Sequence, residues 1–393
     1  MFSLKQNRRA TPARHVATVL LAIGLLAVAG AAPANVRVNQ DPPGADQNTT
    51  SITLHPDPQG GPDLLIVGYN QNPFAFGGIG TSWSPDGGVT WLDSPMPPPP
   101  VFPVNMDASV ASDGAGAVFA GFSSYDALPP FNVTSGVFVS VSLDGGQNFG
   151  APVGVNVMAG PQGTLPWETK PKVDADTYYA AGSPYAGNAY LIWESDLPAP
   201  GWVNGPSDAL FAFSVDQGVN WSPPLPVNDN PGNDLVLWPD VDVGPDGSIV
   251  AGWVDTPFWL QHQGTLMVDR SIDGGVTFGQ DVPAVSFWCV PQTMTDQAGG
   301  GQTRFAQSYT SVAVDRSNPQ RIGAVFAADP DDGPACEARV DTGDVVSTFD
   351  AHLLNPFAGA SNLSYSGGYL HAVWTEARPG VTDVYYNRAP LSA

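Results

Sequence analysis

The chain has 393 residues, of which 44 are glycine, 40 are proline and only 13% are charged. This composition fits a large apolar core interrupted by many tight turns, and it disfavours long helices. The formal net charge of −23 argues against nucleic acid or an anionic membrane surface as a partner, because both would repel the chain.

The first 34 residues differ from the rest of the chain. Basic residues precede an apolar run over 16–28, and small residues follow at Ala32, Pro33 and Ala34. This order predicts a signal peptide over 1–34, cleavage before Asn35, and a secreted or periplasmic mature chain over 35–393 without membrane insertion. A membrane anchor is the competing interpretation, but the apolar run is shorter than the ~20 residues that a spanning helix needs.

From residue 36 onward, short β-branched and aromatic runs alternate with Gly, Pro, Asn and Asp, which is typical of β strands and turns. These runs recur as pairs of a first and a second strand. The predicted pairs are 51–54 with 64–69, 108–112 with 117–122, 173–175 with 189–193, 241–243 with 249–254, 311–314 with 322–327, and 363–366 with 369–374. The second strands are almost continuously apolar, which indicates that both of their faces are covered.

One octet, with the pattern Ser-x-Asp-x-Gly-x-x-aromatic, occurs four times. We expect its Asp to accept hydrogen bonds from nearby backbone amides, its Gly to take a positive φ, and its aromatic ring to fold back onto the hairpin. The Ser, Asp and aromatic positions are Ser84, Asp86 and Trp91; Ser142, Asp144 and Phe149; Ser214, Asp216 and Trp221; and Ser271, Asp273 and Phe278.

These octets resemble the Asp boxes, or BNR repeats, of the sialidase superfamily. The resemblance implies that each octet is structural and closes the turn between the third and fourth strands of a propeller blade, on the rim. It also implies an all-β, six-bladed β-propeller formed by a single domain, in which the last two repeats have lost the octet. Because propellers protect their edges, residues 36–38 are expected to be the outer strand of the last blade.

A propeller sorts its loops onto two faces, and binding sites usually lie around the channel mouth on the face opposite the octets. The catalytic candidates predicted there are Glu194, Asp255 and Glu376. The predicted substrate-binding residues are Lys170, Arg304, Arg339, Arg378, Tyr125, Tyr309 and Trp238. Acids and aromatic residues at a mouth suit a carbohydrate ligand, although acids at strand ends also bond to turn amides.

Sialidases hold the substrate carboxylate with three arginines, and the resemblance is incomplete at this point. The segment 51–56, where the family would place the first arginine, has none, and Arg270, Arg316 and Arg321 are predicted on the rim. We therefore expect an exported glycan- or protein-binding module. The alternative is an exo-acting glycoside hydrolase of the sialidase type with a different arginine set, and a structural or adhesive cell-surface module is a third class.

The remaining expectations concern cross-links, metals and assembly. Cys289 and Cys336 are the only cysteines and are predicted to form a disulfide between neighbouring repeats, with two free buried thiols as the alternative. The histidines show no metal-ligand spacing, so no zinc site is expected. Two acid-rich segments, 228–234 and 329–333, are either calcium-binding loops or merely solvated. We expect a monomer without a cofactor.

Overall fold

The computed structural model describes residues 36–40, 47–57, 59–71, 78–100, 102–127, 133–198, 206–233, 235–256, 263–288, 293–296, 302–305, 310–325, 362–366, 369–378 and 381–390. These residues form strands and turns, and none of them lies in a helix, which confirms the all-β prediction. The described residues therefore contain no helix that could span a membrane. The predicted signal peptide, Cys289, Cys336, Tyr309 and Arg339 lie outside the described residues.

Four antiparallel sheets of four strands follow one another along the chain, each with its strands hydrogen-bonded in chain order. Sheet 1 contains β2 (Gln47–His55), β3 (Leu64–Gln71), β4 (Ile79–Ser84) and β5 (Leu92–Ser94). Sheet 2 contains β6 (Val104–Ser112), β7 (Val118–Tyr125), β8 (Thr134–Ser142) and β9 (Val153–Ala159). Sheet 3 contains β10 (Trp167–Ala175), β11 (Ala189–Asp196), β12 (Ser207–Ser214) and β13 (Leu225–Pro226). Sheet 4 contains β14 (Val236–Val243), β15 (Ile249–Asp255), β16 (Gln263–Ser271) and β17 (Val282–Trp288).

A further four-stranded sheet, the closing sheet, joins the first and last strands of the described residues. It contains β22 (Asn362–Ser366), β23 (Tyr369–Arg378), β24 (Val381–Pro390) and, as its outer strand, β1 (Val36–Arg37). Val36 lies opposite Tyr386 and Arg37 opposite Tyr385, which confirms the predicted use of the N-terminal segment as an outer strand. Two strand pairs complete the described part: β18 (Thr293–Asp296) with β19 (Gln302–Phe305), and β20 (Ser311–Val314) with β21 (Ile322–Val325).

The second strands form the core because neighbouring sheets cover both of their faces. All residues of β7 are buried, and β11 and β15 are buried except at their last residues. Along β11, Leu191 and Trp193 pack with sheet 2, whereas Tyr190 and Ile192 pack with sheet 4. Each large side chain buried in this way contributes roughly 1.5–3 kcal/mol, so the sheets are held face to face mainly by apolar packing.

The octets form the turns between the third and fourth strands of sheets 1 to 4. In the first octet, Asp86 Oδ1 accepts hydrogen bonds from the amides of Val89 and Thr90 at 3.0 and 2.8 Å, and Gly88 has a φ of 90°. The bond from the amide four residues on recurs at Asp144, Asp216 and Asp273. The same side-chain chemistry therefore closes each of the four turns.

The octets of sheets 1 and 2 also contact the sheet that precedes them. Ser94 Oγ in sheet 1 donates a hydrogen bond to the carbonyl of Gly146 in the octet of sheet 2 at 2.5 Å. The first octet does the same across the closure, because the Tyr386 hydroxyl of β24 donates to the Gly87 carbonyl at 3.3 Å. A Cβ atom at Gly88 would come within 1.9 Å of the Tyr386 ring, so this contact requires glycine.

The first strand of each sheet has a strand partner on one side only. Its remaining amides are satisfied by side chains from the preceding sheet: the Val110 amide donates to Ser51 Oγ at 3.0 Å, and the Val173 amide donates to Ser109 Oγ at 3.1 Å. From β14 onward aspartates take this role, as when the Val312 amide donates to Asp240 Oδ2 at 2.9 Å. An exposed strand edge is thereby converted into a series of contacts between sheets.

Candidate functional site

The four sheets have two chemically different ends. In sheet 3, Ala175 lies opposite Ala189, which lies opposite Ser214, the residue that opens the octet. At the other end Trp167 lies opposite Asp196. We call these the octet end and the mouth end, and Lys170, Glu194, Trp238 and Asp255 all lie towards the mouth end.

A bulge occurs at the same place in the first strand of each of the four sheets. The strand register shifts between Asn48 and Ser51, Met106 and Ser109, Thr169 and Lys172, and Leu237 and Asp240. Within each bulge one non-glycine residue has a positive φ: Thr49 at 51°, Asp107 at 62°, Lys170 at 52° and Trp238 at 51°. Such conformations cost roughly 1–3 kcal/mol each and are concentrated at functional sites, where they re-aim side chains.

The bulges explain why the first strands are longer than predicted. β10 begins at Trp167 rather than at residue 173, and β14 begins at Val236 rather than at residue 241. A bulge shifts the inside–outside alternation by one residue, so the pattern of the strand breaks at this point in the sequence. The sequence does carry one signal for it, since Pro171 and Pro239 directly follow the positive-φ residues of sheets 3 and 4 and proline inside a strand marks a bulge or an edge.

Asp107 connects the bulges of sheets 2 and 3. Its Oδ2 atom accepts hydrogen bonds from Thr169 Oγ1 at 2.9 Å and from the Lys170 amide at 3.1 Å. Ser123 Oγ, in its own sheet, donates to the same oxygen at 3.0 Å. The carboxylate of one bulge therefore fixes the backbone of the next.

Glu194 makes the corresponding connection between sheets 3 and 4. The Lys170 ammonium lies 2.8 Å from its Oε1, and the Trp238 amide donates to its Oε2 at 2.8 Å. The glutamate is only 1% exposed, and Lys170 Nζ also lies 5.9 Å from the centre of the Trp238 ring. Burial alone would lower the pKa of Lys170, but the charges of Glu194, Asp196 and Asp107, together with the hydrogen bond to Glu194, outweigh burial and raise that pKa. The structure thus brings three predicted site residues together: Lys170 and Glu194 form a buried ion pair, and Trp238 bonds to it through its amide.

Two other carboxyl groups near this pair have raised pKa values. Burial, followed by the negative charge of Glu194, raises the pKa of Asp196 well above its usual range. Burial also raises the pKa of Glu168 to about 7, although hydrogen bonds from Trp193 Nε1 and Ser195 Oγ oppose the shift. The mouth end of sheet 3 therefore contains acids that hold protons at higher pH than exposed acids do.

The other predicted mouth residues lie apart from this cluster. Tyr125 is completely buried and its hydroxyl donates to the Glu168 carbonyl at 2.5 Å, so it joins two sheets and does not line the mouth as predicted. Burial raises its pKa well above the usual value for tyrosine. Asp255 is the partly buried last residue of β15. Glu376 and Arg378 lie at the mouth end of β23, and Arg304 lies in β19.

The arginines predicted on the rim lie at the octet end. Arg270, the residue before Ser271, bonds to Asp246 at 3.1 Å. Arg316, in the turn after β20, bonds to Asp242 at 3.0 Å and lies 5.2 Å from the ring centre of Tyr178. These guanidinium groups are therefore bonded to aspartates at the octet end, which is the opposite end of the strands from the mouth end.

In residues 228–233, the described part of the first candidate calcium segment, polar groups form hydrogen bonds with other groups of the protein. Asn228 Oδ1 accepts the amide of Ala209 at 3.0 Å, and Asp229 and Asp281 exchange amide-to-carboxylate bonds at 3.0 Å. Among the described residues, no group of three or more His, Cys, Asp or Glu side chains could hold a metal ion. The segment 329–333 lies outside the described residues.

Sequence reasoning missed two residues of this end, Trp167 and Asp196. Asp196 follows Glu194 by two positions, and residues two apart in a strand share a face, so the period of the strand could have identified it. Trp167 was not identified as a strand residue because the predicted first strand begins at residue 173, whereas β10 begins at Trp167.

No protein-family model and no curated protein matches the sequence. Solved structures do match the fold. An α-L-arabinofuranosidase from Fusarium graminearum, bound to an iminosugar inhibitor, aligns with a TM-score of 0.55 at 14% identity over 91% of this chain and 97% of its own. A protein of unknown function from Dyadobacter fermentans gives 0.56 at 13% identity, covering 92% and 99%. An α-L-arabinanase from Penicillium chrysogenum, complexed with arabinobiose, gives 0.50 at 12% identity, covering 92% and 99%.

Sialidases are also found among the matching structures. The arabinofuranosidase and the arabinanase are sialidase-like β-propellers, and this chain has the same fold. At these identities the likeness concerns the fold alone.

Proposed function

We propose that this chain is an exported, monomeric, six-bladed sialidase-like propeller whose mouth end binds a neutral carbohydrate. The observation that carries the proposal is the set of aligned bulges, which bring Lys170 and Trp238 onto Glu194 and the Lys170 backbone onto Asp107 at one end of the sheets. Strained backbone of this kind persists only where the surroundings hold it, and it is typical of ligand sites.

The charges of this end favour a neutral ligand over an acidic sugar. Gripping a sugar carboxylate needs free cationic groups, preferably arginines with bidentate contacts. Lys170 is already paired with Glu194. Lys172 is buried, and the charges of Asp240 and Asp107 act on it. Of the charged groups that the structure describes at the mouth end of sheets 2 to 4, all except these two lysines are carboxyls, and carboxyls repel sialic acid and uronic acids.

The solved structures suggest which neutral sugar to test first. Two of the matching propellers are described as an arabinofuranosidase and an arabinanase, the second bound to arabinobiose. Arabinose is uncharged, so its binding does not need a set of cationic groups. We therefore take arabino-oligosaccharides as the leading ligand class.

Catalysis is the second candidate function, and the carboxyl groups favour it. A glycoside hydrolase needs one carboxyl group that is protonated and another that is ionised. Lys170 lies against Glu194, whereas burial and the charge of Glu194 raise the pKa of Asp196. These two groups bond to each other, so they are too close to flank a sugar bond, which requires a separation of roughly 5–10 Å. A hydrolytic site would pair one of them with Asp255 or Glu376.

The test uses the mature chain, residues 35–393. Calorimetric titration with arabinobiose and with sialyllactose separates a neutral from an acidic ligand, and a panel of fluorogenic glycosides detects turnover. Binding of arabinobiose that Glu194→Gln weakens, without turnover, supports the binding module. Turnover abolished by Glu194→Gln, Asp255→Asn or Glu376→Gln supports the hydrolase. Asp315→Asn, a partly buried position in the turn between β20 and β21, is the control that leaves both unchanged. Tight binding of sialyllactose alone would contradict the proposal.

A further inference from the structure

Trp167 exposes a large apolar surface at the mouth end of sheet 3. It is the first residue of β10, and it is 39% exposed. The first strands of sheets 2 and 3 bond to each other through the Ser109 hydroxyl and the Val173 amide at 3.1 Å, so they form the inner wall of the propeller, around its channel. Trp167 therefore lies at the inner edge of the mouth, where a ligand of the proposed function would arrive.

The equivalent residues of the neighbouring sheets are buried. Counted back from the bulge, Val104 in sheet 2 and Leu235 in sheet 4 hold the same position as Trp167, two residues before the last pair ahead of the register shift. Val104 is 1% exposed and Leu235 is 8% exposed. An aliphatic residue of ordinary size thus satisfies the packing at this position. The additional bulk of Trp167 lies in solvent, so the fold does not account for a tryptophan here.

Tyr125 holds the ring of Trp167 on one side. The two rings meet edge to face, with centroids 6.3 Å apart and an angle of 66° between their planes. Tyr125 is itself completely buried, and its hydroxyl donates to the Glu168 carbonyl at 2.5 Å. The indole is therefore held against a fixed neighbour while much of it stays open to solvent. An aromatic ring that is already ordered loses little conformational entropy when a ligand covers it.

The stretch of chain that leads to Trp167 is uncharged. No Asp, Glu, Lys, Arg or His occurs in residues 150–166. The last part of this stretch, 161–164, is an exposed turn that is fixed by a hydrogen bond from Thr164 Oγ1 to the Pro161 carbonyl at 2.6 Å. The chain that adjoins the indole is therefore neutral, which suits an uncharged ligand with an apolar face. The C–H groups on one side of a sugar ring form such a face.

We propose that Trp167 is a sugar-stacking platform at the mouth edge of sheet 3, on which the apolar face of a neutral sugar ring lies against the exposed indole. The platform deepens the proposed carbohydrate function and rests on it. It supplies contact area, whereas hydrogen bonds to the sugar hydroxyls come from other groups of the mouth. Stacking involves no titratable group, so its contribution is the same at every pH at which the chain is folded.

The first experiment measures arabinobiose affinity by calorimetric titration for the mature chain, residues 35–393, and for three variants. Trp167→Val introduces the residue type that sheet 2 has at this position, and it weakens binding about tenfold or more because the stacking surface is lost. Trp167→Phe keeps a smaller aromatic face, so its affinity lies between those of wild type and Trp167→Val. The matched control is Tyr179→Val, which removes a 47% exposed ring at the octet end and leaves the affinity unchanged.

The second experiment observes Trp167 directly and does not depend on how well a variant binds. The mature chain is labelled with 5-fluorotryptophan, and the fluorine resonance that is absent from Trp167→Phe identifies Trp167. Saturating arabinobiose shifts this resonance. The resonance that is absent from Trp221→Phe belongs to an octet tryptophan, whose Nε1 donates to the Gly218 carbonyl at 3.2 Å, and it stays in place.

Each result decides the proposal. Equal arabinobiose affinity in wild type and Trp167→Val, or an unshifted Trp167 resonance at saturation, overturns the platform and leaves the carbohydrate function standing. Equal losses of affinity in Trp167→Val and Tyr179→Val also overturn it, because the effect is then not specific to the mouth. If neither arabinobiose nor a glycan array gives binding to the wild type, the proposed function fails and the platform fails with it.

Discussion

The octet turns and the mouth end of sheet 3 use the same residue type, aspartate or glutamate, in opposite ways. At the octet end, burial would raise the pKa of Asp86, but hydrogen bonds from the Thr90 side chain and backbone outweigh it and lower that pKa. At the mouth end, burial dominates and raises the pKa of Glu168 and Asp196. The octet acids accept the hydrogen bonds that close the turns, and these bonds favour the ionised carboxylate. The mouth acids are buried where the ionised carboxylate is disfavoured, and groups with such raised pKa values are typical of functional sites.

The largest effect is expected from breaking the mouth ion pair. Lys170→Met leaves Glu194 buried without its cationic partner and should lower the free energy of unfolding by about 3–5 kcal/mol, measured by urea denaturation. Adding Glu194→Leu to the same variant should restore much of the loss. The matched control is Arg321→Met, whose exposed pair with Asp315 should contribute less than about 1 kcal/mol. Equal losses at both pairs would remove the distinction between the two ends.

The next effect concerns Glu168 and pH. Its pKa is raised to about 7, so the folded chain favours the protonated form; the stability it contributes is complete below the unfolded pKa and is lost as pH rises through 7. Between about pH 4.5 and 7 this should lower the unfolding free energy by about 2–4 kcal/mol, and Glu168→Gln should remove that slope. Parallel curves for wild type and Glu168→Gln would show that Glu168 does not cause the slope.

A smaller effect is expected at the octet that crosses the closure. Gly88→Ala places a methyl group against the Tyr386 ring and in a backbone conformation with a φ of 90°, and should cost about 2–4 kcal/mol. Gly60→Ala has a similar φ of 78° but open space around the new Cβ, and should cost about 1 kcal/mol. The difference between the thermal midpoints of Gly88→Ala and Gly60→Ala measures the contact of Gly88 with the Tyr386 ring. Identical midpoints would argue against that contact.

The smallest effect is the loss of a single octet acceptor. Asp86→Ala removes the carboxylate that accepts the amides of Val89 and Thr90 and should cost about 1–2 kcal/mol in chemical denaturation. Ligand binding should not change, because this octet lies at the other end of sheet 1. A fall in affinity as large as that of Glu194→Gln would contradict the separation of the two ends.

The sequence predicts the fold well where the chemistry is local. The octets identify the hairpins from side-chain and glycine positions alone, and the apolar runs identify second strands such as β7 and β15 because burial on both faces leaves a continuous signal. The closure by Val36 follows from the need to protect a strand edge.

The site could be predicted only in part. Lys170, Glu194 and Trp238 were identified from their positions near strand ends, but their contact depends on bulges that join three segments distant in sequence. Tyr125 was misplaced because sequence position does not show the direction of a side chain, which here points between two sheets. The raised pKa of Asp196 comes first from burial and then from the nearby Glu194, and such coupling has no counterpart in a sequence pattern.

The most direct measurement is hydrogen–deuterium exchange of the mature chain with and without saturating arabinobiose. The central claim predicts slower exchange in the mouth-end segments 167–172, 193–196 and 236–240, and unchanged exchange in the octets at 84–91, 142–149, 214–221 and 271–278. Slower exchange confined to the octets, or no change anywhere, would contradict it.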